Sequence, residues 1–232
     1  MNNIPKVGAI IVAAGSGQRM GAINKILAPL GGKPLLAWAV DTCQKCDLIQ
    51  QIVVSSNAHC LPLGQKLKEE RAWSKVTIHL GGSRRQDSVK EGLRLLKSCD
   101  WVMIHDGARP FLTLDLIRNG VEVAMEAGAA VAAVPVKETI KLADDDGLIE
   151  ETLQRRKLWI AQTPQIFSFD VITKAYEELT TEITDDAAAV EQLGYKVKLY
   201  VGAYSNIKVT TPEDLELARI IAQVKISNAE RA

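Results

Sequence analysis

Three strand-like apolar runs in this chain end in loops whose residue types suit a phosphate-bearing ligand. Val7 to Val12 empties into Val-Ala-Ala-Gly-Ser-Gly-Gln-Arg-Met-Gly-Ala-Ile-Asn-Lys, from Val12 to Lys25. Small residues let backbone amides approach a phosphate chain closely, because no Cβ blocks the way, and Arg19 and Lys25 add fixed positive charge. Two better-known phosphate loops are excluded. The dinucleotide fingerprint requires a third Gly where Met20 stands, and the Walker loop requires Ser or Thr after Gly-Lys, whereas Gly32-Lys33 is followed by Pro34. The second run, Lys75 to Leu80, leads into Gly81-Gly82-Ser83-Arg84-Arg85-Gln86-Asp87-Ser88. The third, Trp101 to His105, delivers His105-Asp106-Gly107-Ala108-Arg109-Pro110.

The elements that must position these loops follow from hydrophobic period and turn chemistry. Pro34 is placed to open a helix through Leu35, Leu36, Trp38 and Val40, and Gln51 to Ser56 reads as a buried strand. Helical patterns follow over Leu63 to Ala72 and Asp87 to Leu96. Thr113 caps a helix that runs to Ala127 and closes at Gly128, and Ala129 to Val134 reads as a central parallel strand. This alternation predicts an α/β fold, three-layer and Rossmann-like with a mostly parallel sheet, and a site above the carboxyl ends of the strands. The rhythm breaks at Lys137. From there to Gln154, two strand-like runs flank Asp144-Asp145-Asp146-Gly147, a turn signal, and predict a protruding β-hairpin arm. Leu158 to Gln162 returns to strand, Thr163-Pro164-Gln165 reads as a turn, and Ser168 caps a helix through Glu178. Thr184-Asp185-Asp186 opens a helix with acids in its first turn, Lys196 to Val201 is a strand, and Thr211-Pro212 starts a last helix to about Ile226.

With 232 residues, the chain is long enough for one domain, 1–232, with a full core. Its 28 basic and 28 acidic residues cancel, which argues against a nucleic-acid or membrane surface and confines positive charge to a site. The N-terminus lacks the layout of a signal peptide and no apolar run approaches the roughly 20 residues of a membrane span, so a cytoplasmic protein is expected. Four cysteines in a chain of this size are expected as reduced thiols. Cys43, Cys46 and His59-Cys60 have the paired spacing of a zinc site, but Cys43 and Cys46 fall in a helical pattern and a strand intervenes. A non-catalytic nucleotide- or zinc-binding interaction module is therefore the alternative of another class.

Read together, Gly15 to Met20, Lys25, Gly81-Gly82, Asp87-Ser88-Val89, His105 to Pro110, Leu158-Trp159 with Thr163-Pro164-Gln165, and Asn206-Ile207-Lys208-Val209-Thr210 resemble the methylerythritol-phosphate cytidylyltransferases of the isoprenoid pathway, from Val7 to Leu217. The resemblance implies a pyrophosphorylase-type nucleotidyltransferase fold. It also implies transfer of a cytidylyl group from CTP to methylerythritol phosphate with Mg²⁺, and a homodimer whose arms, here at about 137–157, exchange across the interface. A ribitol-phosphate cytidylyltransferase shares the fold and loops, but Gly107-Ala108 between Asp106 and Arg109 looks more like the methylerythritol enzymes.

By the same resemblance, Ala13, Ala14, Gly15, Ser16 and Gly17 bind the nucleotide and wrap its triphosphate, while Arg19 and Lys25 stabilise charge on the α-phosphorus and the departing pyrophosphate. Gly82 and Ser88 contact the nucleotide at the cytosine. Asp106 lies near the metal and the substrate hydroxyls with Arg109, the Mg²⁺ being held mainly by phosphate oxygens. Arg155, from the partner's arm, and Lys208 grip the polyol phosphate beside Thr184. Family members commonly have Pro-Lys-Gln where this chain has Asn24-Lys25-Ile26, and an acid is frequent where Ser83 and Ser205 stand. The attacking atom is a phosphate oxygen whose second pKa is about 6, so no general base is required and His105 is read as structural.

Overall fold

Strands and helices alternate as expected, and the computed structural model, which describes residues 4–15 and 26–230, orders seven of the strands into one sheet. β1 (Val7–Ala13) is followed by the short pair β2 (Pro29–Leu30) and β3 (Lys33–Pro34), then α1 (Leu35–Lys45), β4 (Ile49–Ser56), α2 (Leu61–Glu70), β5 (Val76–Leu80), α3 (Arg85–Leu95) and β6 (Trp101–Asp106). Next come α4 (Leu114–Ala127), β7 (Ala129–Pro135) and the hairpin β8 (Lys141–Ala143) with β9 (Ile149–Thr152). β10 (Trp159–Ser168), α5 (Phe169–Glu178), α6 (Asp186–Gln192), β11 (Lys198–Val201) and α7 (Pro212–Glu230) complete the order. Ser16, Gly17, Arg19 and Lys25 lie outside the described residues.

The main sheet runs β11-β7-β10-β6-β1-β4-β5. The chain leaves β1 towards β4 and β5 and then returns to the other side of β1 as β6, all in parallel. The carboxyl ends of β1 and β6 therefore border the crevice left where the strand order reverses, the place where open α/β sheets bind ligands. Alternate strand residues face opposite helical layers. Ala9, Ile11, Ile52, Val54 and Met103 pack with α1, α2 and α4, whereas Ile10, Val53, Val102 and Ile104 pack with α3, α5 and α6. Both faces are covered, which explains why these strands read as unbroken apolar runs.

Two expectations are corrected. Ala129 to Val134 lies in β7, second from the edge and parallel only to β11, not at the centre. Its burial comes from the layers on either face and from β10, which lies antiparallel between β7 and β6. Thr163-Pro164-Gln165 is not a turn but the middle of β10. The ladder to β7 skips from Ala161 to Gln165, so the missing N–H of Pro164 breaks no pairing there.

The boundary signals act as read. The Thr113 hydroxyl accepts from the Leu116 N–H at 3.2 Å, and Gly128 ends α4 in the left-handed region at φ 85°. The hairpin pairs Lys141 with Thr152 and Leu142 with Glu151, and every residue in its two strands is exposed.

Close packing between α4 and the sheet gives a direct test. A Cβ at Gly120 would lie 2.5 Å from the Tyr200 hydroxyl and 2.7 Å from Ile166 Cδ1, and that hydroxyl donates to the Leu116 carbonyl at 3.1 Å. Gly120→Ala gains about 1 kcal/mol of helix propensity but overpacks this contact at about 1–3 kcal/mol. Urea denaturation should show net destabilisation; an unchanged or raised midpoint would contradict the packing account.

Candidate active site

β6 carries two buried polar residues at its carboxyl end, His105 and Asp106. Each is held by β10. The Asp106 N–H donates to Thr163 Oγ1 at 3.0 Å, and Thr163 Oγ1 lies 3.2 Å from His105 Nδ1. His105 Nε2 is 3.0 Å from the Arg109 carbonyl. A carbonyl only accepts, so Nε2 carries the proton, and the Thr163 hydroxyl donates to Nδ1. Burial, working against the hydrogen bond to Arg109, pushes the His105 pKa down to about 4.

The segment after β11 docks on the same loop. Asn206 Nδ2 donates to the Thr163 carbonyl at 2.8 Å, its own carbonyl accepts from Arg109 Nη1 at 2.7 Å, and the Val209 N–H donates to the Ala108 carbonyl at 2.8 Å. Lys208 is thereby brought to Asp106, with Nζ 2.7 Å from Oδ2. Arg85, the first residue of α3, reaches the other carboxylate oxygen with Nε at 3.1 Å and makes two bonds to Asp186, at 3.0 and 2.7 Å. Arg109 Nε stands 3.9 Å from Asp106 Oδ2. Burial works to raise the Asp106 carboxyl, but the charges of Arg85, Lys208 and Arg109 hold it well below the usual carboxylate range. Three cations against Asp106 and Asp186 leave this cluster with one net positive charge, which suits an anionic ligand.

The cluster stands between two concavities. The larger, about 390 Å³, is walled by Ala13, Ala14 and Gly15 at the end of β1 and by Gly82, Ser83 and Ser88 at the start of α3. The smaller, about 100 Å³, is lined by Arg109, Thr184 and Asp185 with Gln162, Thr163 and Gln165 of β10. Arg85, Asp106 and Lys208 line both. Glycine is required at the larger wall: a Cβ at Gly82 would lie 2.3 Å from Asp87 Cβ. Asp87 accepts from the Arg84 N–H at 3.1 Å and closes the first turn of α3.

A model of the 2-C-methyl-D-erythritol 4-phosphate cytidylyltransferase family matches residues 7–224. The chain belongs to this family. It is 50% identical over 217 residues to the 2-C-methyl-D-erythritol 4-phosphate cytidylyltransferase of Dehalococcoides mccartyi, covering 93% of this chain and 96% of that one. Among solved structures it is similar to 4-diphosphocytidyl-2C-methyl-D-erythritol synthase from Anaerococcus prevotii, with a TM-score of 0.85 at 32% identity over 94% of this chain and 96% of that one. The Thermus thermophilus 2-C-methyl-D-erythritol 4-phosphate cytidylyltransferase gives 0.78 at 29% identity, over 94% and 99%. The expected fold and the family resemblance are thus both met.

Of the residues singled out in the sequence of this family member, Ala13, Ala14, Gly15, Gly82, Ser88, Asp106, Arg109, Thr184 and Lys208 line one or both concavities. Arg155 lines neither. It sits in a one-turn 3-10 helix (Arg155–Lys157) after the hairpin and donates from Nη1 to the Lys137 carbonyl at 2.6 Å. Cys43, Cys46 and Cys60 are buried among aliphatic residues of the α1 and α2 side. Sequence reasoning quoted Arg85 and Asp186 but gave them no part in the site. In the sequence Asp186 reads only as an acid in the first turn of a helix, yet it is fully buried. Its neighbour Asp185 is the cap, accepting from the Ala188 N–H at 3.1 Å.

The neutral His105 predicts a pH dependence of stability. Its folded pKa is about 4 against an ordinary 6.5, so the unfolded chain binds the proton first. Stability from this group is complete above about 6.5 and is lost as pH falls towards 4, by on the order of a few kcal/mol. His79, also held below its ordinary value by burial, contributes in the same direction. Between pH 7 and 4, His105→Asn should be less stable than the parent but should lose stability less steeply. Parallel curves would contradict a neutral His105.

Proposed function

We propose that this chain transfers the cytidylyl group of CTP to 2-C-methyl-D-erythritol 4-phosphate, giving 4-(cytidine 5'-diphospho)-2-C-methyl-D-erythritol and pyrophosphate in isoprenoid precursor synthesis. The observation that carries the reading is the positive cluster shared by two adjoining concavities, one walled by small residues and the other by polar ones. A phosphate oxygen of the polyol phosphate forms a bond to the α-phosphorus of CTP, and the bond from that phosphorus to the bridging oxygen of pyrophosphate breaks. The nucleophile is already anionic at neutral pH, so the protein's work is to position two anions and offset their repulsion.

In this reading Ala13, Ala14, Gly15, Ser16 and Gly17 present backbone to the triphosphate, and Gly82 and Ser88 receive the cytidine. Arg19 and Lys25 stabilise the charge that develops towards pyrophosphate. Arg109, Thr184 and Lys208 receive the polyol phosphate, and the Arg109 Nε, buried and without a hydrogen bond among the described residues, is a donor for it. Asp106 is the one acidic residue lining the larger concavity among the described residues. A single carboxylate fits a Mg²⁺ whose other ligands are phosphate oxygens and water, with Asp106 the residue that would hold it. When bound, the ion neutralises charge on the triphosphate.

The chain is further read as one domain whose arm, at about 137–157, pairs with a second copy and places Arg155 in the partner's site. The arm's apolar Leu142, Leu148 and Ile149 are 47%, 67% and 63% exposed, and an isolated two-stranded hairpin is marginally stable in water. Among the described residues no helix is long and apolar enough to cross a membrane; the chain is also read as a cytoplasmic enzyme acting on small substrates.

Pyrophosphate release from CTP and Mg²⁺ tests the reaction. Methylerythritol phosphate should support turnover and ribitol phosphate should not; the reverse preference would reassign the polyol, and no turnover with either would overturn the reading. Lys208→Ala and Arg155→Ala should each mainly raise the KM for the polyol phosphate, by at least about tenfold with little change for CTP, and Lys208→Ala should lower kcat as well. In heterodimers carrying one substitution per chain, exchanged arms leave one site intact, so activity should reappear. Heterodimers as impaired as either parent variant would contradict arm exchange.

A further inference from the structure

Arg85 has a role that neither the glycine-walled concavity nor the polyol recess explains alone, because it lines both. Its guanidinium is anchored on one side by two hydrogen bonds to Asp186, a fully buried carboxylate. Asp186 is itself fixed by the Tyr176 hydroxyl, which donates to Oδ1 at 2.6 Å. On its other side the Nε–H holds Asp106 Oδ1 at 3.1 Å and leaves Oδ2 to Lys208 at 2.7 Å. Tyr176, Asp186, Arg85, Asp106 and Lys208 therefore form one continuous chain of contacts. It leads from the α5–α6 layer to the cation that faces both concavities.

We propose that Arg85, locked by Asp186, is a positioning residue for cytidylyl transfer, acting through Asp106 to fix where the Lys208 ammonium stands between the two substrates. The inference rests on the function proposed above. The chemistry favours this division of labour. A carboxylate shared by two cations holds each less tightly than it would hold one. Arg85 thus sets the Asp106 orientation while leaving Lys208 free to accept phosphate charge. A planar guanidinium makes bonds in fixed directions to two carboxylates at once, which a single ammonium does not. Without Arg85, the Asp106 carboxylate is free to turn onto Lys208 and Arg109, and the ammonium shifts from its place between the anions. Displacements of about 1 Å in such groups cost up to about 100-fold in rate.

The test must separate this role from the plain need of a buried Asp186 for a partner. The double variant Arg85→Gln with Asp186→Asn removes both charges together, and its melting temperature should lie nearer the parent than that of Arg85→Gln alone. Its kcat with methylerythritol phosphate should nonetheless fall at least about tenfold while the Kd for CTP with Mg²⁺, measured by calorimetry, stays within about threefold. In a Lys208→Ala background the same two substitutions should change kcat by less than about threefold, since their effect passes through Lys208. Recovery of parental kcat in the double variant would overturn the proposal, as would loss of CTP affinity in step with kcat or full additivity with Lys208→Ala. If the double variant does not fold, Arg85→Lys, which keeps a cation beside Asp186, is read by the same kcat, Kd and additivity criteria. The parent is assayed alongside: no cytidylyl transfer by the parent overturns the function itself, whereas an active parent with an equally active variant overturns only the role of Arg85.

Discussion

Asp106 must remain ionised at a place that water hardly reaches, and its ion pairs govern how the strands and loops around it are arranged. Two unit charges 4 Å apart interact by about 4 kcal/mol at the effective dielectric near a protein surface. Arg85, Arg109 and Lys208 would repel one another on that scale without the carboxylate between them. They come from the start of α3, the loop after β6 and the segment before α7. The ion pairs therefore join three stretches of chain far apart in sequence. The same interaction keeps the cluster one charge positive, so an anionic ligand completes it rather than disrupting it.

This arrangement is possible because the backbone around it is packed closely enough to fix each group. A Cβ at Gly81 would lie 2.6 Å from Ala14 Cβ and 2.8 Å from the Ser88 hydroxyl, so the loops after β1 and β5 touch through small residues. Ser88 is tied in turn: its hydroxyl donates to the Arg84 carbonyl at 3.2 Å and its carbonyl accepts from Ser55 Oγ at 3.1 Å. Since Ser55 donates there, it accepts from His79 Nε2, 2.7 Å away. The wall of the larger concavity is thus supported by hydrogen bonds reaching back into β4 and β5.

How far the sequence already disclosed this depends on the kind of information each feature needs. The loops after β1, β5 and β6 were legible because a strand-then-helix rhythm places carboxyl ends on one edge, and small or charged residues there stand out against apolar runs. The direction of β10 was not legible, since an apolar run reads alike in both directions and Pro164 imitates a turn. Nor was the burial of Asp186. A second acid at a helix start looks solvated from its neighbours, and its environment is decided by Arg85, 101 residues earlier. The family's motif order supplied what local pattern did not for Asp106 and Lys208, whose proximity depends on the Asn206–Thr163 and Val209–Ala108 contacts. The exposed hairpin was legible as a hairpin because its turn residues act locally: Asp144 Oδ1 accepts from the Asp146 and Leu148 N–H groups, and Gly147 takes a φ of 81°.

Buried polarity shows where the chain invests its specificity. Outside the site the core is almost wholly aliphatic and aromatic. Of the buried polar residues among those described, Ser88, His105, Asp106, Gln162, Thr163, Gln165, Asp186 and Asn206 lie in or beside the two concavities, while Ser55, Ser56 and Gln86 line neither. Each burial costs free energy unless hydrogen bonds offset it, and here the bonds close on one another. Gln165 donates to Asp185 at 2.8 Å while its carbonyl oxygen accepts from the Ala187 N–H at 3.0 Å, so the same side chain that lines the smaller concavity also fixes the start of α6, where Asp186 anchors Arg85. Among the described residues only the buried Arg109 Nε and Asn206 Oδ1 of this network lack a hydrogen bond; a network so nearly closed has little freedom to reorganise, and charge held in place before reaction stabilises a transition state without further rearrangement. For a reaction whose nucleophile arrives already ionised, fixed charge of this kind is the main contribution a protein can make, which is why the site is built from ion pairs and amides rather than from an acid and a base.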